Sequence, residues 1–227
     1  MPEPNPPRIV ALVPMRHHSQ RVQQKNFRLL DGKPLYQHII TTLLAVPQVS
    51  EIVVDTDSPV IVAGLQESFP MVKVIDRPQE LRADDISMNR ILQYDISQAP
   101  ADFYLQTHST NPLLKTVTLS SAIERFLAEY PAHDSLFSVT RLQTRLYDHT
   151  GKAINHDPRI LIQTQDLPPV YEENSCIYLF SAATLARHGT RIGDTPILFE
   201  TEADESWDID EEIDFKLVDL ILQARKA

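Results

Sequence analysis

The first strongly apolar run, Ile9-Val10-Ala11-Leu12-Val13-Pro14, is continuous rather than alternating, which predicts a short strand buried on both faces. A polar stretch from Met15 to Lys25 follows. Gly32-Lys33-Pro34 then opens a helix, with Leu35, Ile39, Ile40, Leu43 and Leu44 recurring at helical spacing. Glu51 to Asp57 reads as a strand ending in acids, and Ser58-Pro59 as the next helix start. The alternation repeats: a strand at Val72-Lys73-Val74-Ile75, a helix from Ser87 to Ser97, and a strand at Phe103-Tyr104-Leu105-Gln106. Leu119, Ile123, Phe126, Leu127 and Tyr130 form the stripe of another helix, and Ser135 to Thr140 returns to strand. Strands alternating with helices predict an α/β protein, a three-layer α/β/α sandwich around a mostly parallel nucleotide-binding sheet. Ligands bind beyond the carboxyl ends of such strands, so chemistry is expected just after Pro14, Asp55, Ile75 and Gln106.

From Arg141 to Pro169 the pattern breaks into short apolar pieces separated by turn residues, which predicts an arm within a single domain of residues 1–227. The arm either folds over the site as a lid or reaches into a partner subunit. Its apolar residues Leu142, Leu146, Ile160, Leu161 and Ile162 need cover. Strand character resumes at Asn174 to Ser181 and at Ile197 to Glu200. Ile213, Leu217, Leu220 and Ile221 are expected to be the buried face of a closing helix.

Composition narrows the function. Hydrophobic residues make up 42% and charged residues 23%, as in an ordinary globular protein. Against 31 acidic residues stand 21 Lys and Arg, a formal charge of −10, so a nucleic acid polymer is a poor partner and none is expected, while a mononucleotide needs only a local basic pocket. The single cysteine, Cys176, lies in a strand-like run and reads as a buried inert thiol, consistent with a reducing compartment. Met1 to Pro7 lacks the pattern of a signal peptide and no stretch is long enough to span a membrane, so a cytoplasmic protein is expected. The eight histidines show no helical i, i+4 spacing of a zinc site, and His149, His156 and His188 read as surface or turn residues.

Two segments carry candidate chemistry. In the run Trp207 to Phe215, Asp208 and Asp210 stand two apart, so an extended backbone presents both to one hard cation such as magnesium while Ile209 turns inward. Glu211, Glu212 and Asp214 are explained as partners of a helix macrodipole, and Trp207 as a packing residue beside the acids. The loop Met15 to Asn26 gathers Arg16, Arg21, Lys25 and the hydroxyl of Ser19 at the carboxyl end of the first strand. Forked arginine contacts and a mobile lysine charge there suit a triphosphate.

Met15-Arg16-His17-His18-Ser19-Gln20-Arg21-Val22-Gln23-Gln24-Lys25-Asn26, followed by Asp31-Gly32-Lys33-Pro34-Leu35, resembles the opening of the cytidylyltransferases that activate 2-keto-3-deoxy sugar acids, especially CMP-sialic acid synthetase. The resemblance continues through Asp55-Thr56-Asp57-Ser58, Arg77-Pro78-Gln79-Glu80-Leu81 with Asp84, Leu105-Gln106, Asp166-Leu167-Pro168, Asn174 and Asp208-Ile209-Asp210, in order over nearly the whole chain. It implies attack of a sugar acid's anomeric hydroxyl on the α-phosphate of CTP, with release of pyrophosphate, in a homodimer. Arg16 and Lys25 would neutralise phosphate charge, with Ser19, Arg21 and Asp84 also on the nucleotide side. Asn26 and Arg77 would hold the cytidine, Gln106 and Asn174 would face the sugar, and Asp208 with Asp210 would hold Mg2+. Asp210 would also orient or deprotonate the attacking hydroxyl.

Several positions depart from that pattern. His17 and His18 stand where small residues are usual, so their imidazoles could donate to phosphate in place of backbone amides. Gln20 replaces a lysine, with Arg21 beside it, and Thr107 to Lys115 is longer before its proline than the usual stretch. Thr164 stands where an arginine usually grips the sugar carboxylate, and Arg145 or Arg159 in the arm could substitute. Two other readings remain: another nucleotidyltransferase or a nucleotide-sugar glycosyltransferase on the same type of sheet, and a non-catalytic nucleotide-binding relative. The place of the acid pair, just before the last helix, argues against a glycosyltransferase. Retention of Arg16, Lys25, Asp208 and Asp210 argues against the non-catalytic relative.

Overall fold

All seven apolar runs anticipated as strands enter one sheet. The computed structural model describes residues 6–19 and 21–225, so the reading of the first five residues and of Gln20 lies outside the described residues. In chain order the elements are β1 (Ile9–Leu12), a two-strand hairpin β2 (Leu29–Leu30) and β3 (Lys33–Pro34), α1 (Leu35–Leu44), β4 (Val49–Thr56), α2 (Pro59–Ser68), β5 (Lys73–Asp76), α3 (Met88–Gln98), β6 (Phe103–Gln106), α4 (Thr116–Glu129), β7 (Ser135–Leu142), β8 (Val170–Phe180), α5 (Ala182–His188), β9 (Pro196–Glu200) and α6 (Glu212–Ala224). The sheet order is β5-β4-β1-β6-β8-β7-β9, and only β8 runs antiparallel to its neighbours.

The continuous apolar runs are explained by cover on both faces. Ile9, Ala11 and Val13 point into a core closed by α1, α2 and α4. Val10 and Leu12 point the other way, toward Leu92 of α3 and Leu185 of α5. These are the three layers of an α/β/α sandwich. Helix starts follow the local chemistry: Ser58, Ser87 and Ser181 each accept from the backbone N–H three residues on, and Pro59 supplies the fixed φ of a first helical position. Gly64 of α2 leaves room for Tyr36 of α1, since a Cβ there would lie 2.3 Å from the Tyr36 hydroxyl.

A third cluster sits at one end of the sheet. Val22 of the β1 loop, Leu30 of the hairpin, Leu113, Ile209 and Phe215 and Val218 of α6 pack together. Arg28 pairs with Glu212 at 2.6 Å and stacks over the Phe215 ring, and the Asp31 N–H donates to Asp219. The expected buried face of α6 is thereby corrected: Ile213, Leu217 and Leu220 are exposed, and Phe215 and Val218 are buried, with Ile221 partly so. The hairpin docks on the side of the helix that holds the aromatic ring, a preference that periodicity within the helix could not reveal.

The arm is shorter than expected, because Arg141 and Leu142 still belong to β7 and pair with Tyr171 and Val170. The rest, 143–169, is irregular. Buried Asn155 ties it internally, donating to the carbonyls of Thr144 and Pro168 and accepting from the Leu146 N–H. Ile160 and Leu161 are exposed, the latter at 90%. Among the described residues no helix is long and apolar enough to cross a membrane.

Candidate functional site

The connection after β1 leads to β4 on one side, while β6 lies on the other, so the strand order reverses between β1 and β6. At that switch point the loop after β1 meets the loop after β6. Asn26 holds them together, donating to the Arg16 carbonyl at 2.8 Å and accepting from the Ser109 hydroxyl at 2.8 Å. The segment before α6 is laid over the same place: the Ile209 N–H donates to the Thr110 carbonyl, and buried Glu205 accepts from the Lys115 N–H. Sequence-distant polar residues thus surround a cavity of about 490 Å³, of the size that takes a small-molecule ligand.

Arg16, Ser19, Arg21, Lys25, Asn26, Arg77, Asp84, Asp208 and Asp210 all line this cavity. Arg16 pairs with Asp84 at 2.5 Å and Arg21 with Asp210 at 2.6 Å. Lys25, little exposed, donates to the Ile209 carbonyl at 2.6 Å and lies 3.5 Å from Asp210. The two histidines divide. His18 lines the cavity, whereas His17 turns away to the Ser58 hydroxyl and stacks on Phe27, its N–H donating to Asp57.

The acid pair has the arrangement that its spacing predicts. Ile209 is fully buried between Asp208 and Asp210, and both carboxylates reach the cavity. Asp208 Oδ1 is buried without a hydrogen-bond partner. Burial, followed by the charge of Asp210, pushes the Asp208 carboxyl up, against a hydrogen bond from Thr110. Two carboxylates, one of them with an unsatisfied oxygen, would suit a hard divalent cation such as magnesium. Among the described residues no group of three or more His, Cys, Asp or Glu is placed to hold a metal. Glu211 and Asp214 form a reciprocal capping box, and Asp214 also accepts from the Asp210 N–H, which fixes the backbone of the acid pair. Trp207, expected to pack, is 36% exposed and borders a second cavity of about 810 Å³ that shares Asp208 and Asp210.

Arg77 is held from below. It is 1% exposed and paired with buried Asp55, while its Nη1 lacks a partner. Asp95 of α3, also 1% exposed, completes the cluster. No group outside the pair donates to its two oxygens or to Asp55 Oδ2, so two carboxyls face each other and one guanidinium. Burial first, then the charge of Asp55 and a hydrogen bond to it, push the Asp95 carboxyl up to about 9, opposed by Arg77. The Asp95–Asp55 pair therefore holds a proton between its two carboxyls at neutral pH.

Gln106 and Asn174 line neither the first cavity together nor the same wall. Asn174 borders the second cavity, with its amide bonded to Ser138, Thr140 and Thr201. Gln106 is fully buried behind two residues that sequence reasoning did not single out as site residues, His108 and Arg191. Arg191 donates to Gln106 Oε1 at 2.5 Å, which orients the amide so that its nitrogen donates to His108 Nε2 at 3.0 Å. The His108 proton is thereby assigned to Nδ1. Burial, then the charges of Arg191 and Lys25, push His108 down to about 3, so the ring is neutral. The Arg191 guanidinium carbon also lies over the Tyr178 ring, 3.4 Å from its centroid. The two arm arginines do not reach either cavity: Arg145 donates to the Ile162 carbonyl and Arg159 pairs with Asp157, and Thr164 is exposed. Arg191 could have been suspected only by knowing that the α5–β9 loop lies beside β6.

Comparison with known proteins gives a consistent picture. Residues 10–226 match the family model described as cytidylyltransferase. The chain is 28% identical to the CMP-N,N'-diacetyllegionaminic acid synthase of Legionella pneumophila, over 95% of this chain and 97% of that protein. It is 26% identical to the N-acylneuraminate cytidylyltransferase A of Danio rerio, over 93% of this chain and 50% of the other. Among solved structures, a CMP:2-keto-3-deoxy-manno-octonic acid synthetase complexed with CTP superimposes with a TM-score of 0.73 at 18% identity, covering 97% of this chain and all of that one. The last is a likeness of fold.

Proposed function

Because the chain belongs to the cytidylyltransferase family, we propose that it joins CMP from CTP to the anomeric hydroxyl of a 2-keto-3-deoxy sugar acid of the sialic or legionaminic type, releasing pyrophosphate. The observation that carries this reading is the meeting, at the sheet's switch point, of three cations from the β1 loop with the Asp208 and Asp210 pair.

The reaction forms a bond from the sugar oxygen to the α-phosphorus and breaks the bond from that phosphorus to the bridging oxygen. Charge neutralisation and alignment are the main demands. Arg16 and Arg21 are exposed and paired only with surface carboxylates, a weak arrangement that triphosphate oxygens can displace. Lys25 is fixed by the Ile209 carbonyl and keeps its charge directed at the cavity floor. Ser19 and His18 border the same space. Arg77, with Nη1 unspent, is the donor we assign to the cytosine, and Asn26 acts by holding the two loops in register. Asp208 and Asp210 would hold Mg2+, which when bound supplies further neutralisation of the triphosphate. Asp210, released from Arg21 by the substrate, accepts the hydroxyl proton.

We further propose a homodimer in which the arm is covered by the partner, since Tyr147, Ile154, Ile160 and Leu161 are otherwise exposed. The buried Cys176 thiol suits a reducing cytoplasm.

Pyrophosphate release is the test, measured with each of several nucleoside triphosphates and magnesium against a panel of 2-keto-3-deoxy acids. Release with CTP and one acid, reduced on the order of 100-fold in Asp210→Asn, is expected. Release with another nucleotide, or none with any acid, would overturn the proposal.

A further inference from the structure

Five cationic side chains line the main cavity, and four are already matched. Arg16 faces Asp84, Arg21 and Lys25 face Asp210, and Arg77 faces Asp55. Arg191 differs: among the described residues it has no carboxylate within 4.0 Å. Its contacts are the Gln106 carbonyl oxygen and the face of Tyr178, which orient the guanidinium, while Glu173, bonded to the Tyr178 hydroxyl, acts on it only from a distance. Neighbouring His108 is held neutral and offers no compensating charge. A partly buried, oriented cation whose nearby negative charge, Glu173, stands beyond ion-pair distance behind the Tyr178 hydroxyl still has room for a directly contacting anion.

The mounting is rigid. Gly189, at φ +68°, ends α5, and the loop beyond it is gripped by β7: Ser135 accepts from the Gly193 N–H, and Asp134 accepts from those of Asp194 and Thr195. Asn89 of α3 accepts from the Arg191 N–H at 3.4 Å. No side chain fits at Gly193, where a Cβ would fall 2.3 Å from the Asp134 carboxyl. The loop thus presents one cation in one orientation.

The triphosphate is served by the cations of the β1 loop, so an anion at Arg191 belongs to the second substrate. A 2-keto-3-deoxy sugar acid has one anionic group that is always present, its carboxylate. We infer that Arg191, oriented by Gln106 and Tyr178, binds that carboxylate and selects the free acid over neutral analogues. This inference rests on the function proposed above. It gives the task left open by Thr164 to a residue from a different loop.

The experiment is calorimetric titration of CTP-saturated protein, without magnesium, with each acid of the panel and with its methyl ester, in wild type, Arg191→Met and Arg191→Lys. Pyrophosphate release is followed separately with magnesium. Loss of a charge-assisted contact predicts acid binding weakened on the order of 10- to 100-fold in Arg191→Met, with partial recovery in Arg191→Lys. The ester should bind wild type and Arg191→Met alike. CTP affinity, unchanged in both variants, shows that the fold and the nucleotide half are intact. Equal acid binding in wild type and Arg191→Met overturns the inference while leaving the proposed activity standing if pyrophosphate is released. Acid binding that depends on Arg191, without pyrophosphate release, upholds the inference and overturns the activity. Failure of every acid to bind the wild type overturns both.

Discussion

Asp95→Asn should stabilise the protein, and by an amount that grows with pH. The native Asp95 carboxyl sits 1% exposed beside Asp55, with only Arg77 to offset two acids. Its native pKa is pushed up to about 9, whereas an unfolded aspartate titrates near 3.9. The raised native value means that the folded chain keeps a proton which the unfolded chain releases. The associated stability is complete below the unfolded pKa and falls as pH rises toward the native one, by about 1.4 kcal/mol per pH unit. Between pH 5 and 8 wild type should therefore lose up to ~4 kcal/mol that the variant does not, a ceiling because the two acids share one proton. Asparagine keeps the hydrogen bond, its amide N–H replacing the acid proton toward Asp55 Oδ2. Urea denaturation of both proteins at each pH gives the difference directly. If the two stability curves run parallel across that range, within about 0.5 kcal/mol, Asp95 is ionised in the native state and the account of the cluster is wrong.

Two further outcomes follow from packing. Phe215→Ala should cost about 3 to 5 kcal/mol, because the ring is buried in the third cluster and supports Arg28, whereas Leu220→Ala, at 62% exposure on the same helix, should change stability by no more than about 0.5 kcal/mol; thermal or urea unfolding of the pair distinguishes them, and equal losses would refute the assignment of faces on α6. Cys176 is fully buried and its thiol is pushed up by burial, then by the charges of Asp208 and Glu205, so DTNB should not modify it until denaturant is added.

What the sequence revealed was whatever depends on a residue and its near neighbours. Continuous apolar runs located all seven sheet strands, and serines at helix starts marked α2 and α3, because burial on two faces and capping leave local signatures. The spacing of Asp208 and Asp210 gave the inward turn of Ile209 for the same reason. The buried side of α6 was misread because it is decided by where the Arg28 hairpin docks, 184 residues away in the chain. Arg191 escaped notice because its importance comes from contact with Gln106, 85 positions earlier. Gln106 itself was expected to face a ligand and is fully buried behind His108 and Arg191, a depth that no one-dimensional pattern encodes.

The reversal of β8 has a consequence for how such a protein can change. Running against β6 and β7, the strand brings its beginning, with Asn174 and Ser175, to the end of the sheet where the parallel strands finish, and the arm enters there too. The β1 loop, Arg77 and His108 come from residues 9–109, while the lining residues of β7 and β8 and Arg191 come from residues 135–200. Two contiguous stretches of gene thus encode two different walls. Insertions, deletions or recombination within the later stretch can remodel one wall while the earlier stretch, and the loop it builds after β1, is inherited unaltered.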